Sequence, residues 1–213
     1  MINTPNNRHI KWMAVLSVIV IGGCSSTSDN TDSKRGPVTN FVSPSNKVEL
    51  QANTFVELPT AAEFGSNLNA SQLITVDWNE QQHKLPVQLE VDSEKVVLAG
   101  FASWGSTLLS VTYDNHSFET FVMPGLSDTL PEPKQVLFNI MVTLWPIDTW
   151  TPRLSKINWT LTQSNKQRLL KDENGDVVIR IDYATKPYLQ GDIVITNVKL
   201  DYTITIKTYQ YRH

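Results

Sequence analysis

This sequence has few of the patterns that support metal binding or nucleic-acid recognition. Its 213 residues include one cysteine, which excludes an intramolecular disulfide. Basic residues are scattered, no basic run exceeds Lys34-Arg35, and the formal net charge is only -3, which argues against a phosphate-tracking surface. No His or Cys pair has metal-ligand spacing, "DENGD" lacks the later glutamate of a calcium loop, and glycine-rich phosphate loops are missing. We therefore expect no metal, no cofactor and no nucleic-acid partner.

Candidate nucleophiles are also weakly supported. In "GFASWG" (Gly100–Gly105), Ser103 stands one residue too late for a nucleophile elbow, and no helix is predicted after it. The glycines favour a bend between strands instead. A hydrolase would need a nucleophile such as Ser103 within hydrogen-bond reach of His83 or His116, both in predicted turns. We therefore predict a protein that is not an enzyme and name no catalytic residue.

The amino terminus has the features of an export signal. Arg8 and Lys11 precede the apolar run "WMAVLSVIVI", which ends in the small residues "GGCSS". We predict a signal peptide over residues 1–23. A retained membrane helix is the weaker alternative, because the run is short and no stop-transfer pattern follows.

The single cysteine stands at the end of that signal. Ile21-Gly22-Gly23-Cys24 resembles the lipobox of bacterial lipoproteins, which implies that Cys24 is acylated and becomes the mature amino terminus. Several acyl chains would anchor the protein firmly in a membrane. Ser25 follows where Asp would imply retention in the inner membrane. The resemblance therefore implies an outer-membrane protein, lipid-anchored and facing the periplasm.

The segment after the cysteine is polar and lacks apolar residues that could order it. We predict that residues 24–46 are the acylated cysteine and a flexible tether, with a reach on the order of 25 Å. A single folded domain is expected over residues 47–213. Its composition, 40% hydrophobic and 18% charged, is ordinary for a globular domain.

Most of that domain alternates apolar and polar residues with the two-residue period of a strand. In "LPVQLEVD" the apolar side chains Val87, Leu89 and Val91 share one face. Short turns such as "DSEK", "DNHS" and "DENGD" join these segments and imply antiparallel neighbours. We predict a mainly β (α+β) domain: about ten strands, five on either side of an apolar segment, in one sheet that curls into an unclosed barrel.

The apolar segment "QVLFNIMVTLWP" breaks the alternation and predicts a helix. Pro131 and Pro133 suit its start and Pro146 its end. A narrow polar stripe is the only departure from an apolar surface, and it comprises Gln135, Asn139 and Thr143. A helix of this kind is normally buried on most sides.

Three placements of this helix are compatible with the pattern. It could fill the core of the curved sheet, or it could lie across the barrel mouth and line a cavity for a lipid-like guest. It could also lie on a membrane surface, although its polar stripe lacks the Lys and Arg of such helices. For a cavity, the expected lining comes from the helical region and the glycine-flanked bend: Phe138, Met141, Trp145, Trp150, Phe101 and Trp104.

Several segments, among them "VLFNIMVTLWP", "VVIRIDY" and "DIVITNVKLDYTITI", resemble an uncharacterised family of proteobacterial outer-membrane lipoproteins (domain of unknown function 3261). Members are often encoded among the genes for aryl-polyene lipids. More remotely, strands, helix and strands behind a lipidated cysteine resemble the LolA and LolB lipoprotein-localisation fold. That fold is an unclosed antiparallel barrel whose helices cover an apolar cavity for acyl chains.

The residues and these resemblances together favour a lipoprotein that binds or hands on a hydrophobic molecule. The expected guest is an acyl or aryl-polyene lipid, or the acyl chains of a lipoprotein. The partners would be the membrane, through acyl chains on Cys24, the lipid-like ligand, and a periplasmic carrier protein. The alternative is a structural lipoprotein with a full core that holds a partner at the outer membrane.

Overall fold

The structure is a computed structural model that describes residues 41–213 apart from residues 44, 79 and 128–129. The predicted signal peptide over residues 1–23, the lipidation site Cys24 and most of the predicted tether lie outside the described residues. In the described part, no helix combines the length and apolar character needed to cross a membrane.

The described chain forms strands joined mostly by short turns, with two α-helices between the eighth and ninth strands. The strands are β1 (Phe41–Ser43), β2 (Lys47–Gln51), β3 (Thr54–Glu57), β4 (Leu68–Trp78), β5 (Gln81–Val91), β6 (Val96–Phe101), β7 (Thr107–Tyr113), β8 (Phe118–Val122), β9 (Thr160–Gln163), β10 (Gln167–Lys171), β11 (Val177–Tyr183), β12 (Ile193–Asn197) and β13 (Tyr202–Arg212). The helices are α1 (Pro133–Leu144) and α2 (Ile147–Leu154). Short 3-10 turns span Ala62–Phe64, Ser155–Ile157 and Tyr188–Gln190.

Eleven strands form one antiparallel sheet in the order β1-β8-β7-β6-β5-β4-β13-β12-β11-β10-β9. Among the described residues, β1 pairs only with β8 and β9 only with β10, so the sheet keeps two free edges. The predicted fold class, an unclosed antiparallel sheet with a helix, is confirmed.

The strand count differs from the prediction only before the helices. Six strands of the sheet, rather than five, precede them, and β2 pairs with β3 in a separate hairpin. β1 is only three residues long and lies within the segment predicted as tether. Strands as short as β1 and β3 contain too few residues to show alternation in a sequence.

The strands form where the alternation predicts them. In β5, Val87, Leu89 and Val91 are buried, whereas Glu90 is exposed. The predicted turns are also present, because Asp114 Oδ1 accepts hydrogen bonds from two backbone amides of its own turn and Gly175 takes a φ of 82°. Polar residues in these turns satisfy the backbone while the apolar faces meet in one core.

The sheet curls around α1. At the start of the helix, the Lys134 ammonium lies 5.0 Å from the centre of the Phe118 ring in β8. At its end, Arg168 Nη1 in β10 donates to the carbonyls of Val142 and Trp145, both at 2.8 Å. In a flat sheet β8 and β10 would lie about 38 Å apart, yet a helix of this length spans only about 18 Å. The two ends of the sheet must therefore bend toward each other across the helix.

The helix bounds agree with the predicted start and end. Pro133 is the first residue of α1, and Pro146 follows one residue after its last turn. The second helix was not predicted, because α2 contains Pro152 and is flanked by Pro146. It packs against β9 and β3, next to a free edge of the sheet.

Candidate functional site

The carboxyl-terminal half of α1 is held in a closed part of the core. Trp145 is fully buried, its ring lies 4.8 Å from that of Phe64, and its Nε1 donates to Thr60 O at 2.9 Å. The Tyr183 hydroxyl in β11 donates to Thr143 O at 2.7 Å. These contacts fix the end of the helix from two sides.

A buried cation completes this arrangement. Arg168 is only 3% exposed, and its guanidinium donates to the last carbonyls of α1 and, through Nε, to Gln163 Oε1 at 2.7 Å. Desolvation lowers the pKa of Arg168, and burial raises the pKa of the stacked Tyr183. A positive charge is favourable at the carboxyl end of a helix, so Arg168 serves as its cap.

The structure places four of the six predicted lining residues in this core. Phe138, Met141, Trp145 and Trp150 are fully buried, and the rings of Phe138 and Trp150 meet edge to face at 5.7 Å. The indole N–H of Trp150 has no hydrogen-bond partner within the described part of the chain. Three of these side chains therefore complete the packing, and only Phe138 also lines a cleft.

The other two predicted lining residues do not join them. Phe101 is half-buried at the end of β6, and Trp104 is 76% exposed in the β6–β7 turn; neither belongs to the buried cluster. Gly105 has a φ of 90°, so the segment is a tight turn, and a Cβ on Gly100 would lie 2.8 Å from the side chain of Leu85. The glycines make the predicted bend, but Phe101 and Trp104 in this bend do not join the buried core around α1.

A cleft of about 630 Å³ opens beside the amino-terminal half of α1. Its floor consists of buried apolar side chains from α1, the segment before β9, and the sheet: Phe138, Trp159, Leu170, Val178 and Ile179. The β2–β3 hairpin, through Glu49–Ala52, forms one wall, and the β12–β13 turn forms the opposite wall. Ligand sites typically combine such an apolar floor with a few polar groups.

The cleft mouth is lined by polar and charged side chains. Glu49, Glu132 and Lys199 are exposed there. The Lys199 ammonium lies 3.2 Å from a carboxylate oxygen of Asp176 and 3.5 Å from one of Asp172. The hydrogen bond to Asp176 raises the pKa of Lys199. The mouth therefore has more negative than positive charge.

A second depression of about 700 Å³ lies at the tip of the β4–β5 hairpin. It is lined mostly by polar side chains, including Asp77, Glu80, Gln81 and Asp201. A surface of this kind offers little apolar area to a lipid, so the cleft is the better candidate site.

Exposed apolar side chains gather at the end of the sheet where the cleft opens. Trp78, Trp104, Val198 and Leu200 lie there, at the β4–β5, β6–β7 and β12–β13 turns, whereas the exposed Phe55 and Tyr209 lie on β3 and β13. The turns at the opposite end, such as Asp92–Lys95 and Asp114–Ser117, are polar. The two ends therefore present different surfaces.

The three side chains considered for hydrolysis are all exposed. Ser103 lies in the β6–β7 turn and His116 in the β7–β8 turn, so β7 separates them by its full length, about 23 Å. His83 is on β5, and no hydrogen bond joins it to Ser103 within the described chain. Among the residues that the structure describes, no group of three His, Cys, Asp or Glu side chains could hold a metal ion.

Comparison with known proteins places the chain in a family. Residues 69–210, more than half of the chain, match a family model described as "Protein of unknown function (DUF3261)". The chain belongs to this family. The family resemblance expected from the sequence is thereby confirmed. The DUF3261 match runs from β4 to β13, so it includes the cleft floor but not the hairpin wall at Glu49–Ala52.

Solved structures with a similar arrangement have low sequence identity. A domain classed with outer membrane lipoprotein-sorting proteins, from Vibrio parahaemolyticus, has a TM-score of 0.43 and 9% identity over 69% of this chain and 85% of that one. A LolA superfamily protein from Nitrosomonas europaea has a TM-score of 0.40 and 8% identity over 69% and 86%. The MucA/MucB complex of Pseudomonas aeruginosa has a TM-score of 0.34 and 13% identity, over 71% of this chain and 53% of that one. None of the curated proteins compared with the chain matches it. At TM-scores below 0.5, these likenesses carry no functional argument.

Proposed function

We propose that this DUF3261 protein binds a hydrophobic, lipid-like molecule in the cleft and hands it on without making or breaking a covalent bond. The observation that supports this most directly is the cleft itself: five buried apolar side chains form its base between two walls. Leu50, Ala52 and Leu200 add partly or fully exposed apolar surface to the walls, so a guest in the cleft would contact apolar groups on both sides.

The cleft has the size and chemistry of a ligand site. Its volume of about 630 Å³ lies within the usual range for small-molecule pockets. Each methylene that leaves water contributes about 0.8 kcal/mol, so ten would contribute about 8 kcal/mol before the costs of association are subtracted. An acyl or aryl-polyene chain is the guest that we propose, and lipoprotein acyl chains are a variant of it.

Release of the guest would require movement of one wall rather than of the whole helix. The end of α1 is fixed by Arg168 and Tyr183, whereas the hairpin wall is a separate two-stranded unit outside the main sheet. Val48 and Val56 hold the strands of the hairpin in the core, so we propose that its exposed tip at Ala52 moves relative to the β12–β13 turn when the guest enters or leaves. Such loop motions commonly control access to closed sites.

We further propose that the protein is anchored in the outer membrane through acyl chains on Cys24 and faces the periplasm. The lipobox-like Ile21–Cys24, the following Ser25 and the polar segment behind them support this placement. A periplasmic carrier protein would then exchange the guest with it.

A binding experiment on matched variants tests the proposal. The full chain with Cys24→Ala, which cannot be acylated, is purified, extracted with organic solvent and titrated with a fluorescent acyl probe. Ala52→Trp fills the exposed hairpin wall of the cleft, and Ala184→Trp adds the same bulk at an exposed position away from it. We expect Ala52→Trp to lose probe binding and Ala184→Trp to keep it. Absence of both copurifying lipid and probe binding in the parent chain would refute the proposal.

A structural lipoprotein is the second candidate, and the exposed apolar turns favour it. Trp104 and Leu200 are 76% and 61% exposed, and both lie at turns where a partner protein could bind. In that case Ala52→Trp would have no effect on function, whereas Trp104→Ser, outside the cleft lining, would release a partner from membranes.

A further inference from the structure

We infer that the polar end of the guest is uncharged or positively charged, and that a free carboxylate is disfavoured at the cleft mouth. This inference rests on the proposed function, because it concerns the headgroup of the molecule bound in the same cleft. It follows from where each charged side chain at the mouth is placed and what it already contacts.

Two carboxylates lie on the mouth without a cationic partner among the described residues. Glu49, on the hairpin wall, accepts a hydrogen bond from the Asn53 amide at 2.8 Å, which leaves its charge uncompensated. Glu132 is exposed immediately before α1 and makes no side-chain cap hydrogen bond. A headgroup that leaves the apolar floor must pass these two side chains.

The one cation among the described lining residues is already neutralised. The Lys199 ammonium contacts both Asp172 and Asp176, so this group of three has a net charge of about -1 when all three are ionised. Asp172 is only 6% exposed and also accepts hydrogen bonds from the amides of Asn174 and Asp176. An incoming carboxylate would therefore compete with two fixed carboxylates for Lys199.

The start of α1 supplies no compensating positive site. Helix amino termini attract anions, but the Glu132 carboxylate already lies at this one and Pro133 has no amide hydrogen to donate. The nearby Lys134 does not line the cleft, because its ammonium lies over the Phe118 ring at 5.0 Å. Among the described lining residues, no unpaired cation therefore offsets the repulsion between the mouth carboxylates and an anionic headgroup.

The chemical class of guest follows from this charge distribution. Esters, alcohols, amides, amines and zwitterionic headgroups with an outward amine fit the mouth, whereas free fatty acids and free polyene carboxylic acids do not. Two exposed carboxylates several ångströms from a headgroup should weaken an anionic ligand by about five- to tenfold at low ionic strength.

Three probes with one common fluorescent acyl chain test this inference on the full Cys24→Ala chain. They end in a carboxylate, a methyl ester or a primary amine, and binding is measured at about pH 7, where the acid is ionised and the amine protonated. We expect the ester to bind about five- to tenfold more tightly than the carboxylate, and the amine to bind at least as tightly as the ester. The difference should shrink when ionic strength rises from about 0.01 M to about 1 M.

Matched variants assign the effect to the mouth. Glu49→Gln combined with Glu132→Gln should bring the carboxylate probe close to the ester, whereas Glu94→Gln, in the exposed β5–β6 turn, should not. Carboxylate binding as tight as ester binding in the parent chain would overturn the inference and leave the carrier function standing. A preference that persists in the double variant would overturn its assignment to these two residues. If no probe binds, the proposed function itself fails.

Discussion

The two halves of α1 lie in different surroundings, although one continuous helix contains both. Its carboxyl-terminal half is enclosed: Trp145 donates to Thr60 O, and Arg168 and Tyr183 bind the last carbonyls. Its amino-terminal half contributes Gln135 and Phe138 to an open cleft. The same helix therefore both fills the core and lines a site, and these roles are divided along its length.

The difference shows how a small domain can keep an apolar site open without collapsing. Hydrogen bonds and a buried cation hold one end of the helix, so the other end need not be fixed by filling every space beneath it. Core packing and site formation then depend on separate sets of residues. Substitutions in the two halves should accordingly have different consequences for stability and binding.

The largest effect is expected for Trp145→Ala in the closed half. The substitution removes a fully buried indole and leaves Thr60 O without its donor, so the free energy of unfolding should fall by about 3–5 kcal/mol. Urea denaturation followed by circular dichroism measures the change. Trp150→Phe is the control, because its buried N–H has no partner to lose; a larger loss there than in Trp145→Phe would contradict this description of the core.

A smaller loss is expected for Arg168→Met. The carbonyls of Val142 and Trp145 would each lose a hydrogen bond, which should cost about 1–3 kcal/mol. Arg168→Lys keeps the positive charge but not the guanidinium that bridges the two carbonyls, so it should recover part of the lost stability. Equal stability of Arg168→Met and the parent chain would show that the helix end is not held by this side chain.

The smallest effect on stability is expected in the open half. Gln135 is half-buried at the cleft, so Gln135→Ala should change the free energy of unfolding by no more than about 0.5 kcal/mol. Its acyl-probe affinity should nevertheless change, because the side chain lines the mouth. A stability loss as large as that of Trp145→Ala would remove the distinction between the two halves.

Much of the fold could be predicted because strand burial follows a two-residue period. Val87, Leu89 and Val91 show it in one strand, and Pro133 and Pro146 show where α1 begins and ends. By contrast, the sequence did not predict α2, because it contains Pro152. Proline is disfavoured inside a helix, since it has no amide hydrogen and its ring clashes with the preceding turn.

The candidate site was harder to predict, because composition does not determine which apolar residues reach a cavity. Tryptophan occurs both in cores and on surfaces, so the sequence could not separate the buried Trp145 from the exposed Trp104. Two residues of the site had no sequence signal: Leu170 and the buried Arg168, both on β10, were brought to α1 by strand order. Of the polar stripe on α1, only Gln135 lies at the cleft. Thr143 lies in the core, where its hydroxyl donates to Asn139 O.

Photocrosslinking would test the central claim most directly. An acyl chain with a photoreactive group near its end is bound to the full Cys24→Ala chain and irradiated, and the modified residues are identified by mass spectrometry. Binding in the cleft predicts crosslinks on the floor, at Leu170, Val178 and Ile179, that disappear in Ala52→Trp. Crosslinks confined to the exposed β6–β7 turn at Trp104, which does not line the cleft, and unchanged by Ala52→Trp would contradict it.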